Sequence, residues 1–530
     1  MAPVNLSTST VRVLVNGTAV EYSWSDFAVA LHLEYNSNSS SPGPLDVFAS
    51  QDAVDAVWVA FCGFQILLVQ VGLSFSSPSS DAKCIGVSGA VVLLSYALTF
   101  GLSFGPGTFL GTEGFFLLSY PLESSVWALW VLHTSVQLTM TSLVFLTLAH
   151  RVARPALFCY LLLLNVFVYP VVVHAVWSPY GWANRANSHP STLTALDLAG
   201  CSVVHVTAGA AVFVATCFTR VVHPPDKTPP STLSSESSLR HGIGTWLVLL
   251  GWFGLIHTST TTLGGACPDV ALRAAINLAL SAAAASLSAA SLSLRFPLSH
   301  ALNHGLMSGL VAISAAASAV TPAWAIFIGL LAGVLFVGTA HTTRLFQLHD
   351  VLEVVPVHLA NGFWGLVAAG LFSSSDRILA ASQCNATPRH FHVVVSSTAV
   401  ATCCLWEGCA KQFGANVVFA LLVALFVGLV CVLAASPWHY MDRFVGPTPS
   451  LSPPRSPSGH SGAVDDFYPT DDDATPWSFD LANRQSDVIT PDIDDQLQSS
   501  VERRYRFSQG SSHSNIQHTP SPMDRSLFCE

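Results

Sequence analysis

The chain has 530 residues, of which 51% are hydrophobic and only 10% charged, with a mean hydropathy of +0.52. A soluble globular domain carries about 25% charged residues, so this composition excludes an ordinary water-soluble enzyme and describes a chain whose solvent is largely lipid. The formal net charge of −10 does not select a basic partner, because much of the acid, including Asp465, Asp466, Asp471, Asp472 and Asp473, sits in the C-terminal tail, and nucleic acid is not an expected partner.

Residues 1–50 are polar and read as an extracytosolic N-terminal segment. Asn5-Leu6-Ser7, Asn16-Gly17-Thr18 and Asn38-Ser39-Ser40 each fit the N-glycosylation acceptor pattern. No basic stretch followed by an apolar run marks a cleaved signal peptide. From 51 to 437 apolar stretches recur at about 53–75, 85–104, 124–149, 155–177, 198–218, 243–263, 270–294, 301–319, 323–340, 352–373 and 414–436. At 1.5 Å per residue, about 20 helical residues cross roughly 30 Å of hydrocarbon. Backbone polar groups in lipid must bond within their own segment, so these are expected to be helices. The expected fold is an all-α membrane protein, a bundle of eleven spans.

The flanking charges orient the bundle with its N-terminus outside and its C-terminus in the cytosol. Lys83, Arg151, Arg154, Arg220, Lys227, Arg240, Arg295 and Arg344 then fall in cytosolic loops, against Arg185, Arg273, Arg377, Arg389 and Lys411 outside. Asn385-Ala386-Thr387, another acceptor tripeptide, falls outside in this scheme. Residues 391–407 are apolar but short and open with two histidines, and read as an outer-loop or half-buried element. Of the twelve cysteines, Cys62, Cys84, Cys159, Cys201, Cys217 and Cys431 lie in or beside apolar runs and read as small hydrophobes. Cys384, Cys403, Cys404 and Cys409 share one loop region, where a disulfide has room but its connectivity is not legible. The tail, 438–530, is rich in Pro, Ser and Asp and is expected to be a disordered cytosolic segment. Its Thr448-Pro449, Ser452-Pro453, Ser456-Pro457, Thr475-Pro476, Thr490-Pro491, Thr519-Pro520 and Ser521-Pro522 pairs suit proline-directed kinases.

Ionisable groups inside a bilayer are costly and therefore candidates for function. In LDLAGCSVVHVTAGAAVF (196–213), Asp197 opens the fifth span and His205 sits two turns further in, among Ala199, Gly200, Ala208, Gly209, Ala210 and Ala211. Such small residues let helices approach closely. Asp197 alone reads better as a helix cap than as a ligand. In DVLEVVPVHLANGFWGLVAAGLF (350–372), His358 follows Pro356 and precedes Gly362, Gly365 and Gly370. One buried histidine is usually a satisfied core residue. Two of them, each on a slim face of a different span, make a functional reading equally good.

These segments resemble the ammonium transporter family (Amt/Mep/Rh), in the form of its Amt/Mep branch. One motif is carried by Asp197, Ala199, Gly200, Val203, Val204, His205 and Gly209, and a second by His358, Gly362, Gly365, Gly370 and Phe372. Gln137-Leu138-Thr139, His174-Ala175-Val176-Trp177, Gly251-Trp252-Phe253-Gly254, Asn277, and Asn303-His304-Gly305-Leu306 through Gly309-Leu310-Val311-Ala312-Ile313 follow in the family's order, over about 52–437. The resemblance implies two inverted five-helix repeats with an eleventh helix outside them, and a homotrimer with one pore per subunit in the plasma membrane. It implies a pore lined by His205 and His358, with Trp252 along the path, and a recruitment site formed by Trp177, Ser259 and Asp197. The implied cargo is ammonium or ammonia, with methylammonium as its analogue; no cofactor and no resident metal is expected.

Several positions depart from the family's pattern. Its two gate phenylalanines align with Met140 and Leu255, and the asparagine usual after the second is Ile256. Leu198 replaces the usual residue after the aspartate, and Glu353 stands where an aspartate is usual. The family's cytosolic C-terminal motif and the N-terminal cysteine pair of some eukaryotic members are missing.

The chemistry suits the residues. Bringing an isolated cation into a dry medium costs tens of kcal/mol in the idealised limit, whereas neutral ammonia escapes that cost. Imidazole can donate or accept at each ring nitrogen. Two other readings stand beside transport. His300 and His304 at i,i+4, and His390 and His392, could serve a zinc-dependent intramembrane hydrolase. The long tail would also suit a membrane sensor that binds ammonium and signals.

Overall fold

The computed structural model describes residues 10–15, 18–23, 44–76, 81–118, 124–149, 152–184, 194–219, 235–264, 266–293, 297–348, 350–385 and 406–444. The chain divides into two units, Met1–Ala474 and Thr475–Glu530, and the second lies wholly outside these residues. So do the acceptor asparagines Asn5, Asn16 and Asn38, the stretch 391–405, and the tail motifs from Thr448 onward.

A hairpin precedes the helices in the polar N-terminal segment. β1 (Thr10–Val15) pairs antiparallel with β2 (Thr18–Ser23), Thr10 facing Ser23 and Val15 facing Thr18. The strands flank Asn16-Gly17, a dipeptide strongly favoured between hairpin strands. All other regular structure among the described residues is helical.

The helices follow the apolar stretches in order. They are α1 (Pro44–Ser76), α2 (Asp81–Leu94, a π turn at Ser95–Thr99, then Phe100–Phe104), α3 (Ser124–Leu148) and α4 (Arg154–Leu163, a π turn at Leu164–Val168, then Tyr169–Trp177). Next come α5 (a π turn at Cys201–Val206, then Thr207–Phe218), α6 (Ser235–Ile256), α7 (Cys267–Leu292), α8 (Leu298–Ile313) and α9 (Pro322–Leu345). The last are α10 (a π turn at Val355–Ala360, then Asn361–Phe372), the short α11 (Ser375–Cys384) and α12 (Trp406–Phe444). The first helix thus starts inside the segment assigned to the polar N-terminus, and the last begins within 391–407 and runs past Pro437.

Ten of the described helices are long and apolar enough to cross a membrane, one fewer than the eleven stretches read from sequence. The difference lies at 301–319. α8 stops at Ile313, and the chain then unwinds into turns. Unwound backbone at membrane depth needs partners. Asn277 of α7 supplies them, donating from Nδ2 to the carbonyls of Ala317 (2.7 Å) and Val320 (3.0 Å), and Arg273 Nε donates to Ser318 O at 3.0 Å.

α1 packs along α3 and α6, α7 along α8 and α9, and α12 against α5 and α10. α3 and α5 are central, with 83% of their most apolar windows buried, against 28% for α2 and α12. In α12 the buried face runs Phe419, Ala420, Val423, Val427, Cys431 and Ala435, while Leu421, Leu422, Leu425, Leu429 and Leu433 point outward. Apolar residues on both faces at a helical period describe a helix with protein on one side and lipid on the other.

Asn416 of α12 reaches across the bundle. It donates to Leu366 O (2.7 Å) and Leu196 O (3.1 Å) and accepts from Leu196 N (2.9 Å), tying the approach to α5 to α10. Cys384 does not pair within its own loop region. It is bonded to Cys267 at the start of α7, across a sequence separation of 117, with the Cα atoms 5.4 Å apart. Of the cysteines read as small hydrophobes, Cys62, Cys201 and Cys431 are buried, Cys84 is half-buried, and Cys159 and Cys217 are exposed.

Closing so long a loop removes about 2–4 kcal/mol of unfolded-state freedom. Cys267→Ser should lower thermal stability by that order and free the Cys384 thiol for alkylation without reductant. A Cys384 that stays unreactive in that variant counts against the pairing.

Candidate functional site

The centre of the bundle is built by α5 and α10, which both open on a π turn. A π turn shifts the ladder by one residue and leaves a carbonyl short of its usual donor, a feature common at functional sites. In both helices a side chain five residues on bonds a carbonyl of the turn. Thr207 Oγ1 donates to Ser202 O at 2.8 Å, and Asn361 Nδ2 donates to Pro356 O at 3.0 Å. The first π turn carries His205 and the second His358.

Asp197 sets the start of α5. Its carboxylate accepts from the backbone N–H of Gly200 (2.8 Å), Cys201 (2.8 Å) and Ser202 (2.7 Å), and from Ser202 Oγ (2.5 Å). Gly200 holds φ at +97°, a left-handed conformation that favours glycine. Both carboxylate oxygens are therefore committed to the cap. Burial raises the Asp197 carboxyl above its ordinary value, opposed by the bonds from Ser202, Gly200 and Cys201.

Two glycines let the helices cross. A Cβ on Gly209 would stand 2.6 Å from the backbone N of Leu359, the residue after His358. A Cβ on Gly362 would stand 3.0 Å from Cβ of His205 and 3.2 Å from the backbone N of Val206, the residue after His205. Each glycine lies four residues beyond its own histidine, one helical turn, so the two contacts are reciprocal.

At this crossing His205 Nδ1 and His358 Nδ1 are 3.2 Å apart, with ring centroids 5.1 Å apart. His205 is 0% exposed and His358 2%. The Trp252 ring lies parallel to His205 at 5.2 Å and to His358 at 6.4 Å, and its Nε1 donates to Ser314 Oγ at 3.2 Å. Sequence reading named all three residues, and the structure brings them together. A bond between two Nδ1 atoms requires one ring to donate and the other to accept. His205 Nε2 is buried and has no protein partner in either arrangement. Such a group costs about 1–3 kcal/mol when left unmet, so it offers a bond to a small polar ligand.

The remaining predicted residues flank this centre. Met140 and Leu255 are both completely buried in the same apolar cluster. Trp177 Nε1 donates to Asp197 O at 2.7 Å, and Thr258 Oγ1 contacts Leu198 O at 3.4 Å, so the end of α4, the cap of α5 and the end of α6 adjoin. The Ser259 hydroxyl donates to Ile256 O at 2.8 Å. Sequence reading missed His133 of α3. Its ring is 5.7 Å from Trp177 and 4.3 Å from Phe104, and its Nδ1 is buried without a partner. The signal available was a histidine two turns before Met140 on one helix.

At the opposite ends of these helices, Arg344 Nη2 is 2.7 Å from Glu353 Oε1, and His300 Nε2 is 3.4 Å from the same oxygen. Glu353 precedes the membrane-crossing stretch that begins at Val355. Burial pushes its carboxyl up, but the bond from His300 and the charges of His304, His300 and Arg344 outweigh that and hold it at about 2. The His300 and His304 rings stack at 4.1 Å. His390 and His392 lie outside the described residues.

The family described as "Ammonium Transporter Family" matches this chain over residues 79–441. Ammonium transporter 1 member 3 of Solanum lycopersicum is 26% identical over 354 residues, which are 62% of this chain and 77% of that protein. The ammonium transporter of Bacillus subtilis (strain 168) is 30% identical over 346 residues, 61% of this chain and 81% of that protein. Among solved structures, one named "Sensor Amt Protein" has a TM-score of 0.60 at 20% identity, covering 74% of this chain and 95% of that one. Candida albicans Mep2 has a TM-score of 0.58 at 21% identity, covering 74% and 84%.

Gly209→Ala should destabilise the protein by about 1–3 kcal/mol, because its methyl meets backbone that cannot move aside. Gly338→Ala is the control: nothing lies within 4 Å of its Cβ position, and alanine is the better helix former. Equal thermal midpoints for the two variants would contradict the close crossing.

Proposed function

The chain belongs to the ammonium transporter family, and from that membership we propose that it carries ammonium across a membrane through a pore lined by His205 and His358. The observation that carries this reading is the Nδ1–Nδ1 contact of 3.2 Å between two buried rings, with His205 Nε2 left unpartnered beside them. Family members are transporters, so the hydrolase reading of His300 and His304 is set aside.

Ammonium is recruited where α4, α5 and α6 adjoin. The Trp177 indole offers a ring face to a cation, worth about 0.5–2 kcal/mol depending on desolvation, and the His133 and Ser259 side chains offer polar atoms. Asp197 holds this region together through its cap and adds negative charge behind it. The next step inward passes Met140 and Leu255. A thioether and an alkyl chain keep that constriction apolar without offering a cation a ring face. An ammonium ion entering it loses hydration with little return, so its proton passes to water on the side it came from and neutral ammonia goes on. Ammonia then hydrogen-bonds the unmet imidazole nitrogen. The two rings share one hydrogen, so a donor at one end and an acceptor at the other are available to a molecule that needs both. Trp252, lying parallel to both rings, keeps water from this stretch.

The disulfide supports the orientation with the N-terminus outside. Cys267 and Cys384 lie at the end of the bundle that this orientation exposes to an oxidising compartment, where disulfides persist. The plasma membrane, a homotrimer of pores, a lipid-facing α12, tail kinases and glycosylation complete the reading. The domain limits follow: 1–50 outside, 51–437 in the membrane and 438–530 in the cytosol.

A second reading, an ammonium sensor signalling through the tail, draws on that tail and on the likeness to the structure named "Sensor Amt Protein". The two separate on truncation. A chain ending after about residue 445 should still take up methylammonium if it is a transporter; loss of a signalling output with no uptake in either form would favour the sensor.

His205→Ala should abolish ammonium-dependent growth and methylammonium uptake in cells lacking their own transporters, with the protein still present at the membrane. Uptake at the parental rate would sink the twin-histidine mechanism.

A further inference from the structure

Three donors converge where α8 and α9 meet the start of α10. His300 and His304 stand one turn apart on α8, and Glu353 comes from the turn before Val355. One donor atom from each, a ring nitrogen of either histidine and a carboxylate oxygen of Glu353, lie within 4.8 Å of one another. His304 Nδ1 is engaged with His300 O at 3.1 Å, which leaves its Nε2 as the nitrogen for a ligand. The His304 ring is held from the other side by Phe336, parallel at 5.8 Å. Both rings are half-buried and so reachable, while Glu353 is only 8% exposed.

Two observations set this cluster apart from an ordinary ion pair. Glu353 holds φ at +52°, the left-handed region that a residue with a side chain seldom adopts. Backbone strain of that kind costs about 1–3 kcal/mol and persists where the surroundings impose it, commonly at ligand clamps. Its Oε2 is also buried with no protein partner, although Oε1 faces both Arg344 and His300. A charge pair alone accounts for Oε1. It leaves the second, buried oxygen without a role.

We propose that His300, His304 and Glu353 form a binding site for a divalent transition-metal ion of the zinc class, and that the bound ion slows ammonium passage. Two imidazoles and a carboxylate are a borderline-soft donor set that suits zinc and disfavours magnesium or calcium, with a position left for water. Arg344 is the competitor for the site. Its side chain is 48% exposed, and a bound ion would compete with the guanidinium for one carboxylate. The route from the site to transport is short, since Glu353 O accepts at 2.9 Å from the backbone N–H of Val357, the residue before His358. The slowing of transport rests on the pore reading above; the binding does not.

The test uses the purified full-length protein titrated with zinc, then the same protein in vesicles with zinc inside or outside. One equivalent should bind to the parent that His300→Gln and Glu353→Gln each weaken by about tenfold or more, since even outer-shell losses cost that much. Arg344→Ala should tighten binding, an effect opposite to that of any variant that merely loosens the fold. In vesicles, zinc should slow methylammonium flux from the Arg344 face only, and less so in His300→Gln. His205→Ala should lose flux yet keep the zinc equivalent, which separates failure of the pore reading from failure of the site. Absence of saturable binding, affinity unaltered in His300→Gln, or weaker binding in Arg344→Ala would each overturn the proposal.

Discussion

In a medium that offers no water, each polar group must find a partner within the protein, and the pairing of His205 with His358 is a point where this protein stops short of doing so. One hydrogen bond joins the two rings, and it consumes one nitrogen from each. His205 Nε2 is left facing an apolar interior. Much of the surrounding structure serves to hold that incomplete arrangement. The π turns carry the rings, the Thr207 and Asn361 side chains bond carbonyls of those turns, and Asp197 absorbs the free N–H groups at the head of α5. Some other buried polar side chains are fully paired. Asn165, for example, accepts from Gln137 and Thr141 and donates to Leu161 O, sealing the bend in α4.

The sequence displayed the spans and the paired histidines because both are local or repeated signals. Apolar length marks a helix without reference to its neighbours, and a histidine among glycines in two separate spans is visible on its own. Trp252 became legible only through the resemblance, since nothing in its surroundings announces that its ring will lie against two imidazoles. The Cys267–Cys384 bond was not legible, because partners 117 residues apart are joined by the path of the chain rather than by spacing. The same holds for His133, which meets Trp177 and Phe104 across three different helices. The end of α8 misled for another reason. Residues 314–320 are rich in alanine and look like the continuation of a span, but their backbone is unwound, and Asn277 and Arg273, far away in sequence, make that tolerable.

The two ends of the proposed route differ in kind. Around Trp177 the groups are aromatic or capped, with aspartate spent on backbone N–H bonds, so a cation meets faces and dipoles rather than an open carboxylate. Around Glu353 the groups are imidazoles and an ion pair whose acid is held at about 2. A carboxyl that acidic stays ionised at any cellular pH, and Arg344 shares the ion pair with the histidines. Between the ends, Met140 and Leu255 supply bulk without charge or ring.

The reciprocal contacts of Gly209 and Gly362 separate two properties that are often entangled in a binding site. The gap between α5 and α10 is fixed by backbone meeting backbone, so the imidazoles occupy a frame whose width they do not determine. A different side chain at either position would inherit the same spacing, as a lens inherits the barrel it is screwed into. Which molecule the channel favours is therefore open to change one residue at a time, by evolution or by design, without rebuilding the scaffold that holds it.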